Sequence, residues 1–344
     1  MCITTSKRAN DKLVDVPKKE SGLGPMEPLR LLWKFARPHT IIHSFLTPWT
    51  MAAVAAGGYS ALATATTSTP AFAGAITLLW LAYTMANLYI VGLNQIYDVE
   101  VDRINKPNLP IASGELSESS AWKIVLAALT ASVGLLSAAT SDVLICVPFA
   151  TLLAIGTWYS LKLGKTAGGS TGLRLKDKAL TAALSIIVCR GMILPFTTLT
   201  HAFTHASGNV SAVVMAPIMT LTAMRALVIA VMKDIPDMAG DKAAGENSTL
   251  AISLGAPRVF RWCINLMCLP SLLALIAVGL NISGFTTTWN AHIVILYHVC
   301  ALLYIRWQES AVDANQPSQV TRFYTKTLWI MFYVEMLLFP AMLN

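Results

Sequence analysis

Two short acidic segments carry the residue types in this sequence that are best suited to chemistry. The first contains an asparagine and two aspartates at intervals of four residues, and the second contains three aspartates at intervals of three and four. The six residues are Asn94, Asp98, Asp102, Asp234, Asp237 and Asp241. On an α-helix each set lies near one face. Mg²⁺ binds such oxygen ligands and bridges them to substrate phosphates, so the pattern predicts a Mg²⁺ site that clamps a diphosphate leaving group.

A simpler interpretation is that these acids are solvated loop charges. Basic neighbours that could pair with them are Arg103, Lys106, Lys233 and Lys242. Clustered carboxylates at the edge of an apolar bundle nevertheless repel one another in poorly screened surroundings, and a cation would offset this repulsion. Because the pattern occurs twice, at helical spacing and on the same predicted side of a membrane, we favour the metal site.

Basic residues between two apolar segments could hold an anionic phosphate. The five residues of this loop are Lys162, Lys165, Arg174, Lys176 and Lys178. A basic loop on the inner side of a membrane protein is common without any binding role. Arg174 and Lys176 are the better candidates, because they lie next to the start of the following apolar segment.

Several polar residues lie at or inside apolar segments, among them Arg37, His39, Arg190 and Arg225. Arg37 and His39 open the first segment, where Arg37 could reach a phosphate or only anchor the helix by snorkelling, and His39 could line a polar pocket. Arg190 falls within the fifth segment, where a charge usually faces the bundle interior or a wet cavity. It could bind an anion there or pair with an acid such as Glu335.

The elements that position these residues are membrane helices. The chain has 344 residues, of which 55% are apolar and 12% charged, and its mean hydropathy is +0.59. This composition excludes an ordinary soluble enzyme, a disordered chain and a coiled coil. A polar tail at 1–28 precedes a membrane domain at 29–344. Nine apolar segments of spanning length are predicted in that domain, at 39–57, 74–97, 121–139, 143–160, 179–198, 212–233, 259–280, 287–306 and 323–342.

The charge distribution supports this topology. With the N-terminus inside, 23 of the 25 Lys and Arg residues fall in inner segments or at their helix edges. The net charge of +7 therefore does not require a nucleic-acid partner, and none is predicted. The six cysteines form no CxxC pair, and His201 and His205 in an outer loop have no third ligand nearby in the sequence.

The motifs resemble those of the UbiA superfamily of intramembrane prenyltransferases. Its NxxxDxxxD motif matches Asn94, Asp98 and Asp102, and its second Asp-rich motif matches Asp234, Asp237 and Asp241. A closer resemblance, to the homogentisate prenyltransferases of plants, algae and cyanobacteria, covers nearly the whole chain from about residue 28. It is carried by RPHT at 37–40, NQIYDVEVDRINKPNLPIASGELS at 94–117, YS at 159–160, RLK at 174–176, Arg190-Gly191, KDIPDMAGDK at 233–242 with Gly245, and FYVEMLLFP at 332–340.

The resemblance implies an all-α polytopic membrane bundle of nine transmembrane helices around a central cavity. Mg²⁺ held by the Asp motifs would bind a prenyl diphosphate, whose ionisation gives an allylic cation that an aromatic acceptor attacks. For homogentisate the transfer is accompanied by loss of CO₂, in plastoquinone or tocopherol biosynthesis at a plastid or cyanobacterial-type membrane. The expected catalytic residues are Asp98, Asp102, Asp237 and Asp241. The expected substrate-binding residues are Arg37, His39, Asn94, Lys106, Tyr159, Arg174, Lys176, Arg190 and Lys233.

Departures from the family pattern leave the acceptor and the prenyl chain length open. IIHSFLTP at 41–48 replaces the expected IxGT pattern, and GKTAGGSTG at 164–172 lengthens the basic loop. Other phenols, including flavonoids and phloroglucinols, and chlorophyll-synthase-like or naphthoate-type transfer are alternatives. A transporter or an assembly protein without turnover is a further alternative. Transporters bind their substrates near the membrane midplane, whereas these acids lie at the predicted inner surface.

Overall fold

The computed structural model describes residues 26–161, 174–206, 212–243, 249–282 and 284–343. In these ranges the regular structure is helical. The first α-helices are α1 (Glu27–Phe35), α2 (Pro38–Ala56), α3 (Tyr59–Ser68), α4 (Pro70–Tyr97), α5 (Val99–Asn105), α6 (Glu118–Ala139) and α7 (Val143–Ser160). The remaining α-helices are α8 (Ala179–Ile186), α9 (Leu194–His205), α10 (Ala212–Met232), α11 (Asp234–Ala243), α12 (Leu250–Leu254), α13 (Ala256–Gly279), α14 (Phe285–Thr288), α15 (Ala291–Ser310), α16 (Pro317–Phe323) and α17 (Trp329–Leu338).

Two π-helical stretches interrupt this pattern. Ile187–Ile193 joins α8 to α9, and Tyr324–Leu328 joins α16 to α17. Short 3₁₀ turns lie at Leu175–Asp177 and Phe339–Ala341. π-Helical turns are rare and often occur at functional sites.

Six helical runs are long and apolar enough to cross a membrane. They are Pro70–Tyr97, Glu118–Ala139, Val143–Ser160, Ala179–His205, Ala212–Ala243 and Ala256–Gly279. The prediction of an all-α membrane protein is therefore confirmed. The other three predicted segments fall on α2, α15 and the run that contains α16 and α17, which are helical but are not among the six.

Helix continues into regions that the sequence predicted as outer loops. Residues 58–73 contain α3 and the first turn of α4, and α9 continues to His205. Residues 58–73 are rich in alanine, which favours helix although the segment is only weakly hydrophobic. The Gly57 and Gly58 backbones both have positive φ, of 89° and 123°, and form the turn between α2 and α3.

Close helix contacts at glycines pack α4 against its neighbours. A Cβ atom at Gly92 would lie 2.6 Å from Val125 Cγ2 of α6, and one at Gly156 of α7 would lie 2.5 Å from Ile90 Cδ1. Small residues allow such approach in membrane bundles, where dispersion contacts drive association. Leucines on the outer faces of α6, α13 and α15 are largely exposed, as expected for lipid-facing positions.

A buried ion pair joins α10 to α17. Arg225 Nε lies 2.8 Å from Glu335 Oε2, and Arg225 Nη1 donates to the Met267 carbonyl at 2.9 Å. Both charged side chains are only 1% exposed. The suggestion that Arg190 pairs with Glu335 is therefore wrong, because Glu335 already holds the guanidinium of Arg225.

The end of the predicted N-terminal tail overlaps the first helix. The helix α1 begins at Glu27, and its Leu29 and Trp33 side chains are exposed. On its polar side, Lys34 Nζ lies 2.6 Å from Glu115 Oε1. Such an amphipathic helix is suited to lie in the interface of a bilayer.

Candidate functional site

Each acidic segment lies where a long helix ends and a short helix begins. The helix α4 ends at Tyr97, and Asp98, with φ of −110°, precedes α5. In the same way α10 ends at Met232, and α11 begins at Asp234. The spacing alone predicted that Asn94, Asp98 and Asp102 share one continuous helix face. In the structure this first set is instead divided between two helices. Asn94 remains adjacent to Asp98, since its Nδ2 donates to Asp98 Oδ2 at 2.6 Å.

Asn105 holds the two acidic segments together. Its Nδ2 donates to the Asp237 carbonyl at 2.9 Å and lies 3.3 Å from Asp241 Oδ1. Its Oδ1 accepts a hydrogen bond from the Gly240 backbone N–H at 2.9 Å. A Cβ atom at Gly240 would lie 2.4 Å from Asn105 Oδ1, so any larger residue would displace the Asn105 side chain.

Basic side chains surround the carboxylates. Lys176 Nζ and Arg174 Nη1 lie 2.7 and 3.2 Å from Asp98 Oδ1. Lys106 Nζ lies 2.5 Å from Asp237 Oδ2. The described side chains therefore form alternating positive and negative groups instead of an exposed acidic patch.

The remaining predicted charged residues extend this set. Lys233 Nζ lies 2.6 Å from Asp234 Oδ1, and Arg37 Nη2 lies 3.5 Å from Asp102 Oδ2. Arg37 itself has a positive φ of 53°, which is uncommon for a residue other than glycine. Strained backbone of this kind is often retained at binding sites.

Asp102 has an unusual environment. Its side chain is buried, and its Oδ2 atom has no hydrogen-bond partner. Burial raises the pKa of the Asp102 carboxyl above its usual value; the cations Arg37 and Lys106 oppose this shift, and the nearby Asp98 and Asp237 carboxylates reinforce it. A metal cation bound beside Asp102 would add to the effect of Arg37 and Lys106 and favour the ionised form of the carboxyl.

The donor set fits Mg²⁺ shared with a phosphate better than a closed protein cage. In the described ranges, no three His, Cys, Asp or Glu side chains converge into a ready-made metal site. Mg²⁺ usually keeps several waters and takes only one or two carboxylates from the protein, with substrate phosphates completing its shell. The hydrogen-bond-free Asp102 Oδ2 atom and the paired aspartates beside it suit this kind of coordination.

These residues line one cavity of about 860 Å³. All the predicted site residues except Arg174 contribute to its wall, and Arg174 contacts the site through Asp98. Apolar side chains of α4, α7 and α8 form another part of the wall, namely Ile90, Leu152, Ile155, Ala182 and Ile186. The cavity therefore combines a highly charged region with an apolar region that could accept a hydrocarbon chain.

Sequence reasoning missed several residues of this cavity. Asn87 and Trp329 contact Arg190, and Tyr324 lies beside Trp329. A signal for Asn87 was available, since it precedes Asn94 by seven residues and so lies on the same face of α4. Asn105 carried no local signal, because its role depends on contacts with α11.

His201 and His205 do not line this cavity. His201 and His205 have ring centroids 4.4 Å apart, and no third metal-ligating side chain joins them within the described ranges. Gly245 and the insert at 164–172 lie outside the described residues, as do Lys162 and Lys165.

Comparisons with known proteins agree on one family and fold. Residues 49–334 match the UbiA prenyltransferase family. The chain is 32% identical over 328 residues to a homogentisate phytyltransferase of Synechocystis, covering 92% of this chain and 97% of that protein. It is 34% identical over 315 residues to homogentisate phytyltransferase 1, chloroplastic, of Arabidopsis thaliana, covering 91% and 75% of the two chains.

A solved structure shares the fold. It is that of a UbiA homolog from Archaeoglobus fulgidus bound to GPP and Mg²⁺. The TM-score is 0.56 at 16% sequence identity, with 90% of this chain and 99% of that chain covered. At this identity the match supports the arrangement of helices.

Proposed function

This chain belongs to the UbiA prenyltransferase family, and from that premise we propose that it transfers an isoprenoid chain from a prenyl diphosphate to an aromatic acceptor in a Mg²⁺-dependent reaction. The acceptor is homogentisate, which loses its carboxylate as CO₂ during the transfer. The names of the two homogentisate phytyltransferases support this acceptor. The observation that carries the proposal is the cavity in which paired acidic segments and basic side chains adjoin an apolar wall.

The charged region binds the diphosphate. Asp98, Asp102, Asp237 and Asp241, with Asn94 and Asp234, supply oxygen ligands for Mg²⁺. When bound, Mg²⁺ neutralises the negative charge that develops on the leaving diphosphate. Asn105 keeps the two acidic segments at a fixed separation, so that both can act on the same diphosphate.

The cations stabilise the phosphate oxygens directly. Lys106, Lys176 and Lys233 each pair with an aspartate and have flexible stems that allow them to turn towards a phosphate. Arg174 and Arg37 add guanidinium groups, which match phosphate geometry. As the C–O bond of the donor breaks, these five cations stabilise the negative charge on the departing diphosphate.

The apolar wall holds the isoprenoid and excludes water. Ile90, Leu152 and Ile186 line this part of the cavity. Water would capture an allylic cation, so its exclusion preserves the cation for attack by the electron-rich ring of the acceptor. Tyr159 and His39, which also line the cavity, contribute to substrate binding.

We further propose nine membrane spans in one domain from residue 29 to 344. The three spans beyond the six candidates would be α2, α15 and the run that contains α16 and α17. The separation of 23 of the 25 basic residues onto inner segments and helix edges supports this count. The chloroplastic relative supports a plastid membrane as the location.

The experiment that tests the function is a product assay on membranes that contain the chain. Homogentisate is offered with geranylgeranyl, phytyl or solanesyl diphosphate, with Mg²⁺ or with EDTA, and products are identified by mass. We expect a prenylated quinol that lacks the carboxylate, formed only with Mg²⁺, and the preferred donor identifies the chain length. Absence of such a product with every donor would refute homogentisate as acceptor, and diphosphate release with another phenol would then identify a different one.

Disturbing the contact between Asn105 and Gly240 should weaken Mg²⁺-dependent activity. We expect Asn105→Ala and Gly240→Ala each to lower turnover or Mg²⁺ affinity by about 10- to 100-fold, as is typical when residues that orient metal ligands are changed. Rates are measured across a Mg²⁺ titration. Gly134→Ala on α6 is the matched control, because a Cβ atom there meets nothing within 4 Å. Equal rates for the Gly240→Ala and Gly134→Ala variants would show that the contact has no positioning role.

A further inference from the structure

Arg190 is a charged residue in a membrane-spanning run, and the ion pairs of the described residues do not account for its position there. It lies in the π-helical stretch Ile187–Ile193, within the candidate span Ala179–His205. Its Nη2 donates to Asn87 Oδ1 at 3.1 Å, and no carboxylate of the described residues lies within ion-pair distance. Placing a charge at such depth is costly and commonly indicates a binding role.

Arg225, by contrast, has its partners within the protein. Arg225 lies in the next membrane run, and Glu335 and the Met267 carbonyl neutralise and bind its guanidinium. Arg225 is 1% exposed and does not reach the cavity, whereas Arg190 is half-buried and lines it. Arg225 therefore has a structural partner in the fold, and Arg190 faces space that a ligand can fill.

A hydrogen-bonded chain fixes the Arg190 guanidinium. Asn87 Nδ2 donates to Thr40 Oγ1 at 3.1 Å, which leaves Asn87 Oδ1 directed to Arg190. Next to Arg190, the Gly191 carbonyl accepts a hydrogen bond from Thr222 Oγ1 of α10 at 2.7 Å. A Cβ atom at Gly191 would lie 2.7 Å from the Ala223 Cα atom, so this glycine allows the close helix contact that sets the position of Arg190.

Aromatic side chains border the same part of the cavity. Arg190 Cζ lies 5.9 Å from the centre of the Trp329 ring. The rings of His39 and Tyr324 meet Trp329 edge to face, with centroids 5.4 and 6.2 Å away. Tyr324 comes from the second π-helical stretch, so both such stretches supply side chains to one place in the cavity. A planar aromatic ligand fits among such rings.

We propose that Arg190 binds the carboxylate of the aromatic acceptor, with Asn87 orienting the guanidinium and Trp329 contacting the acceptor ring. The inference rests on the proposed function and specifies its substrate class as aromatic acids. A guanidinium presents paired donors that match a carboxylate. The diphosphate has its own set of cations, since Lys106, Lys176 and Lys233 pair with the acidic segments and Arg190 pairs with none of them.

The test compares an acid with its neutral ester. The purified full-length chain is placed in lipid nanodiscs with Mg²⁺ and a non-hydrolysable geranylgeranyl thiolodiphosphate, and the affinities for homogentisate and its methyl ester are measured. We expect the wild type to prefer the acid. In Arg190→Gln this preference should fall by about tenfold or more, because a charge-assisted hydrogen bond is lost, while the affinities for the ester and the thiolodiphosphate stay within about twofold.

Two further variants complete the test. Arg261→Gln removes an exposed positive charge of α13 outside the cavity and should leave the acid preference unchanged. Asn87→Asp should reduce the preference as Arg190→Gln does, because the new carboxylate competes with the ligand for the guanidinium. This variant also decides the matter if Arg190→Gln does not fold.

The outcomes separate this inference from the proposed function. An unchanged acid preference in Arg190→Gln or Asn87→Asp would overturn the inference, as would an equal loss of thiolodiphosphate binding. If the wild type makes no product from homogentisate, a panel of other hydroxylated aromatic acids and their esters is used. An acid preference in that panel that depends on Arg190 would support the inference although homogentisate had failed as the acceptor, and its absence would overturn it.

Discussion

Replacing Asp98 with asparagine is expected to reduce prenyl transfer by about 10³-fold or more, while the protein remains folded. Asp98 lies at the break between α4 and α5, where its Oδ1 contacts Lys176 and Arg174 and its Oδ2 accepts from Asn94. An asparagine keeps the shape of the side chain but removes the charge that would attract Mg²⁺ under the proposed function. Loss of several kcal/mol of stabilisation of the leaving group corresponds to a rate effect of this size.

The measurement is the rate of product formation at saturating substrates, with thermal unfolding recorded on the same samples. Glu100→Gln is the matched control, because Glu100 lies two residues further along, is exposed, and loses the same charge. We expect the control to retain activity within about twofold, as is usual for surface substitutions. Full activity of Asp98→Asn, or an equal loss in Glu100→Gln, would exclude the assigned role of Asp98.

Replacing Arg225 with methionine is expected to destabilise the protein by about 3–5 kcal/mol, because Glu335 would remain as a buried charge without its partner. Both residues are 1% exposed, so water cannot solvate the remaining carboxylate. Replacing both residues, as Arg225→Met with Glu335→Leu, should recover most of the loss, since the desolvation cost then disappears with the pair. Thermal unfolding in one detergent or lipid mixture measures these differences.

The exposed pair Arg306 and Glu309 provides the control for this effect. Arg306 Nη1 lies 2.8 Å from Glu309 Oε2, the same separation as in the buried pair, but the arginine side chain is 54% exposed. Arg306→Met should change the unfolding temperature little, because solvent screens exposed pairs. If Arg225→Met were as mild as Arg306→Met, or if the double variant were no more stable than Arg225→Met alone, the buried pair would not contribute as argued.

The residues of the candidate site were more predictable from the sequence than the contacts that hold them in place. The spacing of Asp98, Asp102, Asp237 and Asp241 identified the residues that gather at one cavity, because helical periodicity and charge are local properties of the sequence. The break at Asp98 was not predicted, since the segment lacks the glycine or proline that would mark it. The contact of Asn105 with Gly240 spans 135 residues and depends on tertiary packing.

The pairing of the intramembrane charges also could not be predicted from the sequence. The sequence indicated that Arg190 and Glu335 face the protein interior, but two arginines were available to pair with one glutamate. The choice of Arg225 follows from how α10 packs against α17, which periodicity does not specify. Helix α3 was missed for a different reason, because its alanine-rich composition favours helix without the hydrophobicity of a membrane span.

The lysine–aspartate pairs of the cavity have a consequence for the order of events. Each of Asp98, Asp234 and Asp237 already has a lysine neighbour. Metal alone would have to displace these lysines and leave their charge uncompensated, and diphosphate alone would meet carboxylates that repel it. Under the proposed function, arrival of both would allow Asp98, Asp234 and Asp237 to hold the metal and their lysine neighbours to bind the phosphate oxygens. Metal and diphosphate would then each increase the affinity of the site for the other.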